Sequence, residues 1–524
     1  MVLHAHLPFV RHPEHPRFLE EDWLFEAITE TYLPLLEALE RLVDDCVPFR
    51  LALSISPTLA AMLDDPLLQD RYLVHLDDRI DLAAREVSRT RLIPPLHALA
   101  RSYHRIFRRT RRRYAERYGR RLLPAFRALQ ETGAVELITC GATHGFLPLM
   151  SRRPNTWRAQ IHVAVAEHAR HFGRPPSGLW LPECGYDRGI EEILHEAGLR
   201  YFFVETHGIT RASPPPRWEV HEPLRTPSGV AAFGRDPDSA ASVWSARDGY
   251  PGDPRYREFY RDVGFDLEYG YLRPYLHGDG ARTGLGIKYY RITGGHGPKQ
   301  PYDFGRAAER AAMHAEDFLE KRKRRLAELR GRMDRPPLIV APYDAELFGH
   351  WWFEGPIWIE ELLRRAARDA DAIRLVTPSE HLGRTPEQAT GLPCPSSWGR
   401  GGFAEVWLND RNDWIYPHLH RAEGRLVELA NRFARSAPAP PAERALSQAA
   451  RELLLAQSSD WAFIIGMGTM VDYATGRIEA HLGRFDMLVR ALLEERIDER
   501  ALSEFEEKDN LFPSLDYRVF ADRI

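Results

Sequence analysis

The feature that most constrains the fold of this chain is the alternation of short apolar runs with longer helical patterns. The short runs are apolar on both faces and often end in a polar residue, which indicates parallel strands covered by helices. So many repeats of strand and helix predict an α/β fold and favour a barrel. The predicted strands are Met1–His6, Phe49–Ile55, Val135–Cys140, Gly178–Leu181, Tyr201–Glu205, Gly229–Phe233, Leu338–Tyr343 and Ile373–Val376.

Two regions interrupt this alternation. Residues 71–133 are helical and basic, with the run RRTRRRYAERYGRR at 108–121, and they predict an inserted helical subdomain. Strand patterns end near residue 385, so residues 386–524 are expected to form a helical C-terminal domain. The catalytic barrel would then comprise residues 1–70 and 134–385.

Composition excludes several classes of protein. The net charge is −4, so no overall field favours nucleic acid or an anionic membrane, and the arginine run is interpreted as a solvated helix face. The four cysteines form no CxxC pair, which indicates neither a zinc knuckle nor a disulfide framework. The chain has no run of about 18 apolar residues, so no membrane span is expected. The chain enters MVLHAHLP without a secretory signal, and we expect a cytoplasmic location.

Two carboxylates follow predicted strands far apart in the sequence. Glu183 lies in WLPECGYD at 180–187, and Asp344 lies in APYDAELFGHWWFEGP at 341–356. The carboxyl ends of barrel strands hold the active site in βα barrels. A retaining glycosidase needs two such groups about 5–5.5 Å apart, one as nucleophile and one as acid/base. Each could instead be a surface acid or a helix cap.

The neighbours of these carboxylates suggest which role each one takes. Asp344 is followed by an aromatic cluster, and partial desolvation there would raise its pKa and suit it to donate a proton. Glu183 is then the nucleophile. Glu346 and Glu354, in the same segment as Asp344, are expected to be structural.

Three histidines are expected near the same end of the barrel. His4 and His6 lie on one face of the first strand, and His144 follows the third. They could bind zinc, donate hydrogen bonds to sugar hydroxyls, or pack in the core. Sugar contact is favoured, because a zinc site made of three histidines would leave the two carboxylates without a role.

Aromatic residues elsewhere suggest a cleft that binds polyols. Trp407, Trp414 and Trp461 lie beside polar residues that include Asp460, and tryptophan stacks on the apolar faces of sugars, although core packing is the commoner role. The long stretch 234–256, rich in Gly, Pro, Asp and Ser, predicts a lid or binding loop.

Five segments, in order, resemble glycoside hydrolase family 57: HAHLP, GATHGFLP, WLPECGY, PYDAELFGHWWFEGP and AQSSDWAF. The pattern is most similar to the subgroup of 1,4-α-glucan branching enzymes. The resemblance implies a distorted (β/α)7 barrel with an inserted helical subdomain and a helical C-terminal domain. It implies Glu183 as nucleophile and Asp344 as acid/base, with no metal and no organic cofactor.

The substrate implied by this resemblance is an α-glucan such as amylose, amylopectin or glycogen. We expect a monomer or weak homo-oligomer that binds neither nucleic acid nor membranes. The expected substrate contacts combine residues implied by the resemblance with neighbours of the two carboxylates and the aromatic residue of the long loop: His4, His6, His144, Trp180, Trp244, His350, Trp352, Trp407, Trp414 and Asp460.

One departure from the family pattern leaves other functions open. The loop at 234–250 has no tyrosine before Tyr250, with Trp244 the one other aromatic residue, whereas branching members often have an aromatic residue at the tip of this loop. An α-amylase or a 4-α-glucanotransferase of the same family is therefore an alternative. A metal-dependent polysaccharide deacetylase and a non-catalytic glycan-binding protein are more distant ones.

Overall fold

The computed structural model describes residues 1–150, 153–245, 249–278, 280–294, 298–435 and 438–522. The stretches 234–256, 293–303 and 434–443, which the sequence marks as loops or linkers, each include residues outside these ranges. The strands are β1 (Val2–Ala5), β2 (Leu51–Ile55), β3 (Val135–Ile138), β4 (Gly178–Leu179), β5 (Tyr201–Val204), β6 (Leu224–Arg225), β7 (Ala231–Gly234), β8 (Pro342–Asp344) and β9 (Ala389–Thr390).

Helices surround the strands and form most of the C-terminal part of the chain. The α-helices are α1 (Glu21–Ala27), α2 (Leu33–Asp44), α3 (Pro57–Asp64), α4 (Pro66–Arg89), α5 (Pro94–Arg112), α6 (Leu123–Glu131), α7 (Pro154–Phe172), α8 (Ile190–Glu196), α9 (Thr206–Thr210), α10 (Pro237–Trp244), α11 (Val263–Asp266), α12 (Tyr269–Leu272), α13 (Phe304–Arg330), α14 (Gly355–Arg368), α15 (Pro378–Arg384), α16 (Ile415–Ala434), α17 (Pro440–Ala456), α18 (Ser459–Met467), α19 (Val471–Leu493) and α20 (Glu499–Lys508). None of the described helices is both long and apolar enough to cross a membrane.

The strands form two ladders. One has the order β3-β2-β1-β8, with every neighbouring pair parallel. The other has the order β4-β5-β7-β6-β9, in which β6 runs antiparallel to β7 and the other pairs are parallel. A parallel bridge between Thr139 and Leu179 connects the end of β3 to β4. On the other side, the backbone N–H of Asp236 donates to Val340 at 2.9 Å, between the chain after β7 and the chain before β8.

The burial of the strands agrees with the sequence pattern. All residues of β1, β2, β5 and β7 are buried, as expected of parallel strands covered on both faces. The prediction of an α/β fold with a parallel sheet and a helical C-terminal region is confirmed. The strand predicted at Ile373–Val376 is wrong, because this segment is partly exposed and has no ladder partner within the described ranges.

The helices between β2 and β3 begin at Pro57, earlier than the inserted segment predicted at 71–133. The arginines of the run at 108–121 pair with acids of neighbouring helices. On α2, Arg109 donates to Glu37 at 2.6 Å and Arg117 donates to Glu40 at 2.8 Å. Much of the basic charge of this run is therefore paired with acids on a solvent-facing helix surface.

Residues of the segment before α13, within 256–278 and 280–290, pack on these inserted helices. The hydroxyl of Tyr103 on α5 donates to the Lys288 carbonyl at 2.7 Å. The hydroxyl of Tyr289 donates to Glu86 on α4 at 2.8 Å. These two hydrogen bonds connect the inserted helices α4 and α5 to the segment before α13.

Candidate active site

A cavity of about 650 Å³ opens at the carboxyl ends of the parallel strands. The residue types expected for chemistry meet there because parallel strands direct their carboxyl ends to one side of a sheet. Its wall includes residues after β1, β3, β4, β7 and β8 and residues from the C-terminal region: His4, His6, His144, Glu183, Arg235, Trp244, Asp344, Glu346, His350, Trp398, Trp407 and Asp460.

Glu183 lies in a tight turn just beyond β4. Its φ of 59° places it in the left-handed region, an uncommon conformation for a side chain of this size. Trp398 Nε1 donates to one carboxylate oxygen at 2.7 Å, and Ser459 Oγ donates to the other at 2.8 Å. Burial raises the pKa of Glu183 to about 7, assisted by the charges of Asp460 and Asp344 and opposed by these two hydrogen bonds.

Asp344 is the last residue of β8 and lies in register with His4 of β1. Within the described ranges its carboxyl receives no hydrogen bond. Burial, together with the charge of Glu346, raises its pKa well above the usual value, while Arg235 opposes the shift. A raised pKa favours the protonated form, which is the form that a general acid needs.

Glu346 lines the cavity, although the sequence assigned it a structural role. Its Oε1 accepts from the backbone N–H of His6 at 3.1 Å and from the hydroxyl of Tyr32 at 2.5 Å. Burial raises the pKa of Glu346 to about 7. Glu354 lies outside the cavity and accepts from the hydroxyl of Tyr302 at 2.6 Å, in agreement with a structural role.

The three histidines form a hydrogen-bonded network behind the carboxylates. Nε2 of His4 and Nε2 of His144 are 3.0 Å apart, and Nδ1 of His144 is 2.8 Å from Ser459 Oγ. Nε2 of His6 is 3.0 Å from Asp460. Burial lowers the pKa values of His4 and His144, so both rings are neutral, and one nitrogen of the pair donates while the other accepts.

This network bears on the possibility of a metal site. His6, His144 and Asp460 offer ligand atoms within 4.8 Å of one another. However, the remaining ring nitrogens also have protein partners, since His4 Nδ1 bonds Ser54 at 3.1 Å and His6 Nδ1 bonds Ser56 at 2.9 Å. The donor set therefore suits a network that positions the carboxylates better than it suits zinc.

Asp460 is the anionic member of this network. Burial alone would raise its pKa, but the charge and hydrogen bond of His6, with help from His144, lower the pKa to about 2. Ser458 Oγ also donates to Asp460 at 2.5 Å. Asp460 thus places a fixed negative charge near Glu183 and Asp344.

Two of the expected sugar contacts need correction, because their rings are buried and do not line the cavity. Trp180 is 0% exposed and stacks behind His4, with ring centroids 4.7 Å apart. Trp352 is 1% exposed and packs in the core against Trp358. Trp414 is partly exposed at the start of α16, outside the cavity wall, and its contact with sugar stays a prediction. The other expected residues (His4, His6, His144, Trp244, His350, Trp407 and Asp460) do line the cavity.

Sequence reasoning missed three residues that act on the two carboxyl groups, of which two donate hydrogen bonds to Glu183 and one, Arg235, lowers the pKa of Asp344 through its charge. Arg235 directly follows β7, so the strand-end argument used for the carboxylates would have identified it. Ser459 belongs to a quoted motif, AQSSDWAF, but its role depends on a contact across 276 residues. Trp398 lies in an irregular segment, PSSWGRGG, that carries no periodic pattern.

Comparison with known proteins gives matches along almost the whole chain. Residues 1–393 match the model of glycosyl hydrolase family 57, and residues 418–520 match a model described as the C-terminal part of 1,4-alpha-glucan branching enzyme. A 1,4-alpha-glucan branching enzyme of Thermococcus kodakarensis is 34% identical over 98% of this chain and 76% of its own length. A probable 1,4-alpha-glucan branching enzyme of Mycobacterium tuberculosis is 31% identical over 99% of this chain and 97% of its own length.

Two solved structures have the same overall fold. An α-amylase, AmyC, of Thermotoga maritima is 44% identical, with a TM-score of 0.93 over 100% of this chain and 98% of its own. A branching enzyme of Pyrococcus horikoshii is 33% identical, with a TM-score of 0.89 over 100% and 96%.

Proposed function

Because the chain belongs to glycosyl hydrolase family 57, we propose that it is a retaining 1,4-α-glucan branching enzyme. Such an enzyme cleaves an α-1,4 linkage and transfers the released chain to a 6-hydroxyl of a glucan. The observation that carries this proposal is the presence of two buried carboxyl groups in the wall of one cavity, Glu183 just beyond β4 and Asp344 at the end of β8. Burial raises the pKa of both groups, and the charge of Asp344 contributes to the raised pKa of Glu183.

The proposed first step breaks the glycosidic bond. Asp344 donates its proton to the glycosidic oxygen while Glu183 attacks the anomeric carbon, giving a covalent glycosyl-enzyme and a free glucan end. Asp344, now ionised, takes the proton of an acceptor 6-hydroxyl. The acceptor oxygen displaces Glu183, and the two inversions give net retention.

The surrounding residues support these roles. Trp398 and Ser459 each hold one oxygen of Glu183, which fixes the orientation of the carboxylate. Burial raises the pKa of Asp344 most, and the charge of Glu346 raises it further. Both effects favour the protonated acid. Trp244 and Trp407 offer apolar ring surfaces in the cavity wall on which sugars can stack.

A specific observation favours hydrolysis as the second candidate function. The T. maritima α-amylase has higher identity to this chain, 44%, than the P. horikoshii branching enzyme, 33%. In hydrolysis water would take the place of the acceptor, with the same roles for Glu183 and Asp344. The two functions differ in whether the cavity holds a glucan acceptor and excludes water.

The test combines linkage analysis with one substitution. Incubation of the wild type with amylose is expected to produce new α-1,6 signals in the proton NMR spectrum, whereas a hydrolase produces reducing ends alone. Replacing Glu183 with Gln should reduce both products by several orders of magnitude. The exposed Glu131→Gln variant is the matched control and should retain full activity. Retained activity in Glu183→Gln would exclude the proposed nucleophile.

We also propose that seven parallel strands close into a distorted (β/α)7 barrel in the order β8-β1-β2-β3-β4-β5-β7. The Thr139–Leu179 bridge and the hydrogen bond from Asp236 to Val340 support the two junctions between the ladders. The proposed domains remain residues 1–70 with 134–385, 71–133, and 386–524. The free cysteines support the proposed cytoplasmic location, where a glycogen-like glucan would be the substrate and a monomer or weak homo-oligomer is expected.

A further inference from the structure

A second cavity, of about 280 Å³, lies beside the catalytic one. We propose that it is an acceptor site, which binds a glucosyl unit of the glucan chain that receives the branch. This inference rests on the proposed function, since a branching enzyme must hold two glucan chains at once. The second cavity shares Trp23, Glu26 and His350 with the catalytic cavity, so the two spaces meet at these residues.

The position of the junction suits an acceptor. His350 lies on the segment that follows β8, and β8 ends with Asp344. In the proposed mechanism Asp344 takes the proton of the acceptor hydroxyl. A 6-hydroxyl projects sideways from a glucan chain, so a chain presenting it must approach the donor at an angle. The second cavity contains neither Glu183 nor Asp344, which makes it unsuitable for the donor linkage.

A buried, incompletely paired arginine indicates that the second cavity is built to bind a polar molecule. Arg79 on α4 is 3% exposed and lines this cavity, and its Nη1 has no hydrogen-bond partner in the part of the chain that the structure describes. Its nearest acid is Asp22, at 3.8 Å from Nη2. A buried guanidinium N–H without a partner is costly, and a ligand hydroxyl would satisfy it.

The charges around Arg79 favour a neutral polyol as the ligand. Asp22, Glu26 and Glu30 also line the cavity and disfavour an anion. A cation is disfavoured because both oxygens of Glu30 accept from Arg257, at 2.7 and 2.8 Å. Both oxygens of Asp22 also accept hydrogen bonds, from His75 and His277. Carboxylates and a guanidinium beside aromatic rings are groups that bind sugar hydroxyls and the apolar faces of sugars.

The first experiment fills the cavity. Thr283 is partly exposed and lines this cavity but not the catalytic one, so Thr283→Trp would occupy the space that we assign to the acceptor. With amylose as substrate, the ratio of α-1,6 branches to new reducing ends should fall at least tenfold. Thr390→Trp, on the exposed residue of β9, is the matched control and should keep the wild-type ratio.

A second variant tests the same site without adding volume. Arg79→Met keeps the length of the side chain but removes its donors, and it should raise the acceptor concentration needed for half-maximal branching by about tenfold. Thermal unfolding and circular dichroism verify that each variant is folded. If the folded Thr283→Trp variant keeps the wild-type ratio of branches to reducing ends, the acceptor role is refuted. Equal loss of branching and hydrolysis would also refute it. Neither result would refute the proposed function. A wild type that forms no α-1,6 linkages would refute the proposed function and, with it, the acceptor role.

Discussion

At the scale of single residues, burial and the neighbours of Glu183 together set the pKa of its carboxyl group. The sequence predicted the position of Glu183, because the end of a short apolar strand is a local feature. It did not predict the partner Trp398, since that contact joins segments 215 residues apart and no local pattern encodes it. The ionisation of the nucleophile therefore depends on contacts that only the folded chain provides.

Replacing Trp398 with Phe should move the acidic limb of the pH profile. The indole N–H stabilises the ionised carboxylate, so its loss raises the pKa of Glu183 above the present value of about 7. The nucleophile must be ionised, and the acidic limb of kcat/KM should shift upward by about one pH unit.

The matched control for this prediction is Trp218→Phe. It also removes an indole hydrogen bond to a carboxylate, Asp334 at 3.2 Å, but Trp218 does not line the catalytic cavity. Its pH profile should equal that of the wild type. An unchanged or downward-shifted acidic limb in Trp398→Phe would show that the indole does not stabilise the charge of Glu183.

At the scale of elements, helix α10 begins at a local sequence signal within the stretch 234–256, which the sequence predicted to be a loop. Asp236 precedes Pro237, a pair that is typical of a helix start, and the side chain of Asp236 caps the helix by accepting from Ser239 N–H at 2.8 Å. The helix ends at Trp244, which it presents to the cavity. The Gly, Pro, Asp and Ser content of the stretch predicted a loop throughout, so its helical start was missed, and its role as a lid or binding loop stays a prediction.

Replacing Asp236 with Ala should destabilise the protein by about 3–5 kcal/mol, because Asp236 is buried and also accepts from Arg322 at 3.2 Å. Chemical unfolding followed by tryptophan fluorescence measures this change. As a comparison, Asp498→Ala removes the exposed cap of α20 and should cost about 1 kcal/mol. Equal losses in the two variants would mean that the buried ion pair contributes nothing beyond capping.

At the scale of the whole molecule, distant parts of the chain meet around the cavity and behind it. The layers of strand and helix and the helical C-terminal region were predictable, because hydrophobic periodicity records which faces are buried. The packing of residues 256–278 and 280–290 on the inserted helices was not predictable, since it depends on single contacts such as Tyr103 with the Lys288 carbonyl. The same limit explains Trp180 and Trp352, because a motif does not show which face of a ring is solvent-accessible.

Arg11 illustrates this long-range assembly and provides a test of it. It donates to Asp65 at 2.9 Å, before α4, and to the carbonyls of Glu507 and Lys508 at the end of α20. Replacing it with Met leaves the buried Asp65 without its cation and should cost about 3–5 kcal/mol, with a Tm lower by several degrees. Differential scanning calorimetry measures the shift.

The control is Arg17→Met, since the exposed pair of Arg17 with Asp78 should contribute at most about 1 kcal/mol. Arg11→Met should retain activity below its transition, because Arg11 does not line either cavity. A Tm equal to that of Arg17→Met would indicate that the N-terminal segment and α20 do not stabilise each other through this residue.

The hydrogen bond between His6 and Asp460 spans 454 residues, and it has a consequence for biosynthesis. During translation β1 and the adjoining His6 leave the ribosome first, and Ser459 and Asp460 emerge only when most of the chain has been made. An incomplete chain therefore has a nucleophile without its Ser459 partner and a cavity open to water on one side. Growing polypeptides should be unable to cleave an α-glucan before their synthesis is nearly finished.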